Sequence, residues 1–149
     1  MPRGTALKIY LIGSLKNPKI PFFGNRLREL GFDVFDEWFG AGKQADTTWR
    51  LYETARGRSY EEALYSYAAT NIFQFDLQHM KEADIAVLML PAGRSGHLEF
   101  GYMVGQGKLG YVLFDGLPAR WDVMFQFATR VYFHQDSLLR ELSRVINHA

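Results

Sequence analysis

The run Ile85-Ala86-Val87-Leu88-Met89-Leu90 carries no polar side chain and stops at Pro91-Ala92-Gly93-Arg94-Ser95-Gly96. A continuous apolar run bounded by Pro and Gly predicts a strand buried on both faces, the kind found in parallel sheets covered by helices. An amphipathic stretch follows at once, holds one carboxylate, Glu99, and closes at Gly105-Gln106-Gly107. It predicts a helix whose N-terminus faces the carboxyl end of that strand. Ligands of open α/β sheets sit there, and the free N–H groups and positive dipole end suit an anion or a polar ligand. Glu99, read as lying in the first turn beside a loop of Gly, Ser and Arg, is a candidate reactive group.

The rest of the chain extends the pattern. Leu7 to Ile12 predicts a first strand ending at Gly13-Ser14, and Lys16 to Pro21, with two prolines, predicts a loop. Phe23, Leu27 and Leu30 have helical spacing that ends at Gly31, and Phe32 to Phe35 alternates as a second strand. Asp36 to Tyr52 reads as a long loop, polar and Gly-rich. Ser59 with Glu62 is a capping-box pair opening a helical stretch that reaches about Glu82, with a break expected near Phe73 to Asp76. Tyr111 to Phe114 and Val131 to Phe133 predict the last strands, and Ser137 to Asn147 an amphipathic helix. Strands alternating with helices imply a parallel sheet with right-handed crossovers.

With 149 residues and no internal repeat or linker, residues 1–149 read as a single domain. A net charge of +1 and the absence of any basic run give no reason to expect a nucleic-acid or membrane partner. The apolar part of "MPRGTALKIYLIGS" is too short for a signal peptide, and no run approaches membrane-spanning length, so a cytoplasmic location is the default expectation. Without cysteine there is no disulfide and no thiolate chemistry. His79, His97, His134 and His148 lack metal-ligand spacing. No Walker A loop is present and no GxGxxG follows a predicted strand and opens a helix, which removes dinucleotide oxidoreductases and phosphoryl transfer. No metal and no cofactor is expected.

Three segments, "KIYLIGS", "FQFDLQHMKEADIAVLMLP" and "GRSGHLEFGYMVGQGK", together resemble the nucleoside 2-deoxyribosyltransferase superfamily, which includes the 2′-deoxynucleoside 5′-phosphate N-hydrolases. The resemblance covers roughly residues 7 to 114, and its most specific element is the small-residue loop followed by Glu-Phe-Gly-Tyr and a closing Gly-Lys. It implies a flavodoxin-like, Rossmann-like three-layer sandwich around a five-stranded parallel sheet of order 2-1-3-4-5. It also implies cleavage of N-glycosidic bonds, with transfer of the sugar to another base or to water.

Such a bond breaks through an oxocarbenium-like transition state that a carboxylate beneath the anomeric carbon can trap. The resemblance gives that nucleophilic role to Glu99. Tyr10 matches the tyrosine that positions the nucleophile, and Asp76 the acid beside the departing base. Ser14 matches the serine that binds the sugar or its 5′-phosphate, and Gly13 would let backbone approach the ligand. Gly93, Arg94, Ser95 and Gly96 offer donors at a helix N-terminus. Each has a plainer alternative: a helix-end charge, a half-buried strand aromatic, a solvated helix residue, an ordinary turn or a surface charge. Trp38, in the long loop, could stack on a base or plug the edge of the core together with Trp49.

Two departures bear on substrate. Six residues before Glu99, where phosphate-using members carry serine and nucleoside-using members aspartate, stands Gly93. Asp122, in "PARWDVMFQF", matches the segment that such proteins lend to a neighbouring subunit's site. A carboxylate would accept a bond from a 5′-hydroxyl but repel a phosphate. The reading is therefore a homo-oligomer, at least a dimer, with shared sites and a small-molecule nucleoside or nucleotide substrate, the nucleoside slightly favoured. The aromatics of "RWDVMFQF" are expected on one helical face against the partner. The alternatives are a 5′-monophosphate N-hydrolase, a NAD-glycohydrolase related to TIR domains, and a non-catalytic nucleotide-binding module.

Overall fold

The computed structural model describes residues 6–149; the first five residues of the N-terminal segment weighed above lie outside it. Five parallel strands form one sheet: β1 (Lys8–Ile12), β2 (Asp33–Phe35), β3 (Ile85–Met89), β4 (Leu109–Leu113) and β5 (Arg130–Tyr132). Their order is β2-β1-β3-β4-β5, as expected, with the wholly buried β3 at the centre. The order reverses between β1 and β3, and a crevice outside the carboxyl ends of such a pair is where ligands bind.

Because side chains alternate across a strand, the sheet separates two cores. One face sends Ile9, Leu11, Val87, Met89 and Leu113 against α1 (Ile20–Glu29) and α6 (Gln135–Asn147), through Phe23, Leu27, Leu138 and Leu142. The other sends Tyr10, Ile12, Ala86, Leu88 and Val112 against α4 (Tyr67–Glu82) and α5 (Arg94–Gly105), through Met80, Phe100 and Met103. The three-layer sandwich is thus realised. Close approach at two points needs glycine. A Cβ on Gly96 would lie 3.0 Å from Ile12 Cγ2, and one on Gly13 would run into the Ile20 side chain.

Several boundaries differ from the sequence reading. The first helix starts at Ile20 instead of after Pro21, because proline is tolerated in a first turn, where its missing N–H would be unpaired anyway. The segment read as a long loop holds a 3-10 turn, Glu37–Ala41, and a regular helix, α2 (Ala45–Ala55). The capping box at Ser59 and Glu62 forms, but opens only a short helix, α3 (Tyr60–Leu64). The break falls at Tyr65 and Ser66, where the Ser66 hydroxyl accepts from the Ala69 amide at 3.3 Å. Beyond it α4 runs through Phe73 to Asp76 without interruption. The last two strands each begin earlier than read, at Leu109 and Arg130, and the last helix begins at Gln135.

Candidate active site

Tyr10 lies in the middle of β1, on the face that meets α4 and α5, and is 1% exposed. Its hydroxyl donates to Glu99 Oε2 at 2.7 Å. Glu99 is the sixth residue of α5, a full turn further in than the sequence reading placed it. The helix dipole acts mainly on the first turn, so its position does not account for a carboxylate there. Burial pushes the Glu99 carboxyl up to about 7, Tyr10's hydrogen bond pulls it down, and the negative charge of Asp76 raises it again. The Tyr10 hydroxyl, desolvated and beside that carboxylate, is driven far above the ordinary phenol range and stays a donor.

Asp76 projects from the middle of α4 and is partly buried. Burial raises its pKa, with His79 acting in the opposite direction, and its charge acts on both Tyr10 and Glu99. The structure therefore groups the three expected catalytic residues from β1, α4 and α5 on one side of the sheet. Two carboxyl groups whose burial favours the protonated form, with a phenol locked as donor, suit acid–base and nucleophilic chemistry.

Gly13 and Ser14 follow the carboxyl end of β1. The Ser14 carbonyl accepts from the Asn17 amide at 3.0 Å, and its hydroxyl oxygen accepts from the Lys16 amide at 3.0 Å. The turn is pinned, while the hydroxyl proton has no partner within that turn. Gly93 is the extended residue that opens α5, and a Cβ there would meet nothing within 4 Å. The site is open at this point. Arg94 and Ser95 are exposed in the first turn of α5, which no side chain caps.

The other two expected residues have defined partners. Trp38 donates its indole N–H to the Leu11 carbonyl at 2.7 Å and packs against both cores, which is the edge-plugging role. Asp122 caps a second 3-10 turn, Val123–Phe127, accepting from the Met124 amide at 2.9 Å, with Arg120 at 4.0 Å. The aromatics around it do not share a helical face as expected. A 3-10 turn turns Phe125 inward, with ring centroids 5.1 Å from Phe114 and 5.9 Å from His97, while Trp121 and Phe127 point outward.

Sequence reasoning overlooked an aromatic column beside Tyr10 and Asp76. Tyr10 meets Phe35 at 5.3 Å, and Phe35 stacks on His79 at 3.9 Å with the planes 9° apart. Phe75 closes on His79 edge-on at 4.7 Å. The available signal was the spacing of His79, four residues after Phe75 and three after Asp76, which makes it a neighbour of each on the helix surface. Among the described residues no group of three His, Cys, Asp or Glu could hold a metal ion, and no helix is long and apolar enough to cross a membrane.

No protein-family model matches the sequence, and no curated relative matches it in sequence. Solved structures do share the fold. A conserved protein from Enterococcus faecalis V583 superposes with a TM-score of 0.66 at 14% identity, covering 94% of this chain and 99% of that one. A 2-deoxyribosyltransferase from the psychrotolerant bacterium Bacillus psychrosaccharolyticus gives 0.60 at 20% identity, covering 89% and 90%. The Clostridium botulinum CMP N-glycosidase BcmB gives 0.55 at 14% identity, covering 91% and 97%. At these identities the likeness is one of fold, and it is the fold that the sequence motifs pointed to.

Proposed function

We propose that the protein cleaves the N-glycosidic bond of nucleosides or deoxynucleosides and passes the sugar to a second base or to water. The observation that carries the reading is the Tyr10–Glu99 hydrogen bond at the sheet's switch point, with Asp76 acting on the same pair. Ionised Glu99 attacks the anomeric carbon from one side as the bond to the base breaks on the other. The electron pair leaves with the base, and Asp76, protonated, donates to it. Tyr10 keeps the carboxylate aimed along the line of attack. Water or a second base then attacks the glycosyl ester, frees Glu99, and returns a proton to Asp76.

Gly13, whose missing side chain makes room for Ile20, sets the turn; Ser14 supplies a hydroxyl for the sugar's 5′ end, and Arg94 and Ser95 line the opening that Gly93 leaves. Trp38 supports the wall of the pocket. Asp122 serves a neighbouring copy in a homodimer, and the exposed Trp121, Val123, Met124 and Phe127 around it form the apolar contact that such a dimer would bury. The related reading, hydrolysis of 5′-monophosphates, draws on Arg94 beside the open Gly93 position and on the fold shared with a CMP N-glycosidase.

The test is incubation with a mixture of nucleosides, their 5′-monophosphates and NAD, with released free base read by mass. Base from nucleosides supports the primary reading, and base from monophosphates alone supports its relative. Nicotinamide alone would replace both with a NAD-glycohydrolase, and no release would leave a binding module.

A further inference from the structure

A cavity of about 330 Å³ opens on the α1–α6 side of the sheet, beyond the carboxyl ends of β3 and β4. Its floor is Met89, Leu90, Leu113 and Phe114, and its walls come from α1, the start of α6 and the turn after β4. None of Tyr10, Ser14, Asp76, Arg94 and Glu99 lines it. The volume lies within the range of small-molecule sites, about 300–1,000 Å³.

Two polar bridges frame the cavity. Lys19 lies 3.6 Å from Asp115, and Arg26 donates to Gln135 Oε1 at 2.7 Å and to Asp136 Oδ1 at 2.6 Å. Lys19 and Arg26 are two helical turns apart, which sets the bridges about 10 Å from each other along α1. The two cations are matched by two carboxylates, so these groups leave no surplus charge to draw in a phosphate or another ion. Exposed pairs of this kind are weakly held, and their polar atoms are free to turn to a ligand.

One wall is aromatic. Phe133 stacks on Phe114 with ring centroids 5.0 Å apart and planes 18° apart. Phe114 is 9% exposed and Phe133 41%, so the buried ring supports one that keeps open surface at the cavity. A flat ring laid on Phe133 would extend the stack. The Asp115 carboxylate has acceptor sites that its contact with Lys19 does not fill. Arginine has no acceptor, so Gln135 must turn its amide oxygen to Arg26, which leaves its N–H groups for another partner. The cavity thus combines an apolar floor, a stacking face, an acceptor and a donor.

We infer that this cavity is a second ligand site, built for a neutral planar heterocycle with donors and acceptors on its edge, the chemistry of a free nucleobase. It lies across the sheet from Tyr10 and Glu99 and takes no part in the proposed reaction.

Carbon-13 methyl labelling of methionine tests this on the full chain. Met89 lies in the cavity floor, whereas Met80 and Met103 pack in the core on the Tyr10 face. Free adenine and free cytosine are the probes, with the zwitterion phenylalanine and inorganic phosphate for comparison. A saturable shift of the Met89 methyl by at least one base is expected. Phe133→Leu removes the stacking ring and should weaken that binding about twofold to tenfold. Asp115→Ala removes a charged acceptor and should weaken it about tenfold. Circular dichroism checks that each variant is folded.

An unmoved Met89 methyl, or base-induced shifts confined to Met80 and Met103, overturns the inference. So does unchanged affinity in either folded variant. Tighter binding of phenylalanine or phosphate than of both bases overturns the ligand class. The readout needs no turnover, so it stands or falls whether or not the protein cleaves nucleosides.

Discussion

Tyr10 and Glu99 stand 89 residues apart in sequence and 2.7 Å apart in space, one on a central strand and the other on the helix that crosses over it. Glu99→Gln keeps an acceptor for the phenol and nearly the same volume. It should preserve the fold and cut base release about a thousandfold or more, because an amide cannot form the glycosyl ester. Intact-mass detection of a glycosyl adduct on the wild-type protein, absent in the variant, checks the assignment. Near-normal turnover by Glu99→Gln would refute it.

Tyr10→Phe removes only the orienting bond. A hydrogen bond to a charged group contributes about 1.5–3 kcal/mol, so the rate should drop roughly tenfold to a hundredfold. Since that bond also pulls the Glu99 carboxyl downward, its loss should move the pH midpoint of base release upward. An unchanged rate and midpoint would return Tyr10 to a packing role.

The pH behaviour has a definite sign. As the proposed nucleophile Glu99 would attack only when ionised, and its carboxyl is pushed up to about 7, so base release should climb as pH rises through 7. Stability should run the other way. A carboxyl raised above its unfolded value binds its proton more tightly in the fold, a stabilisation present in acid and lost as pH rises through about 7. Glu99→Gln should therefore melt higher than wild type at pH 8, with the gap narrowing towards pH 5. A gap of about 3 °C corresponds to roughly 1 kcal/mol in a domain of this size. Thermal melts at the two pH values decide it, and a gap that widens in acid would contradict the burial argument.

Asp122 bears on substrate charge. If a partner's Asp122 reaches the 5′ position, a phosphate about 4 Å away would cost on the order of 4 kcal/mol at an effective dielectric near 20. A deoxynucleoside should then be preferred over its 5′-monophosphate, and Asp122→Asn should narrow the preference. Comparing kcat/KM for the two substrates in both proteins is the measurement. A monophosphate preference above roughly tenfold, or about 1.4 kcal/mol, would show that Arg94, beside the open Gly93 position, governs the site.

Much of this was legible in the chain. The unbroken apolar run of β3 could be satisfied only by burial on both faces, and with the alternation of strands and helices it implied a parallel sheet, whereas the strand order came from the motif resemblance. The helix α2 was not legible, since Gly40, Gly42 and Lys43 precede it and its Leu51 and Tyr52 remain exposed, so no apolar stripe marks it. Grouping Tyr10, Asp76 and Glu99 came from motif resemblance, because spacing cannot show which strand face meets which helix. The Arg26–Asp136 bridge joins residues 110 positions apart, and nothing local announces the cavity it frames.

A core substitution on the far face supplies the contrasting case. Leu138 is fully buried between α6 and the sheet. Leu138→Ala should cost about 2–5 kcal/mol of stability, read by urea unfolding, while kcat below the melting range stays within about twofold of wild type. A large loss of kcat in the folded variant would show that the two faces are mechanically coupled.

The alternation that sends Tyr10 one way and its neighbours Ile9 and Leu11 the other divides the molecule for evolution as well as for packing. Substitutions among Phe23, Leu27, Leu138 and Leu142 draw on one reservoir of free energy, while those around Asp76 and Glu99 fall on the proposed site. A lineage could gain robustness on the α1–α6 side and spend it on new substrates across the sheet, with β3 as the partition both sides must conserve.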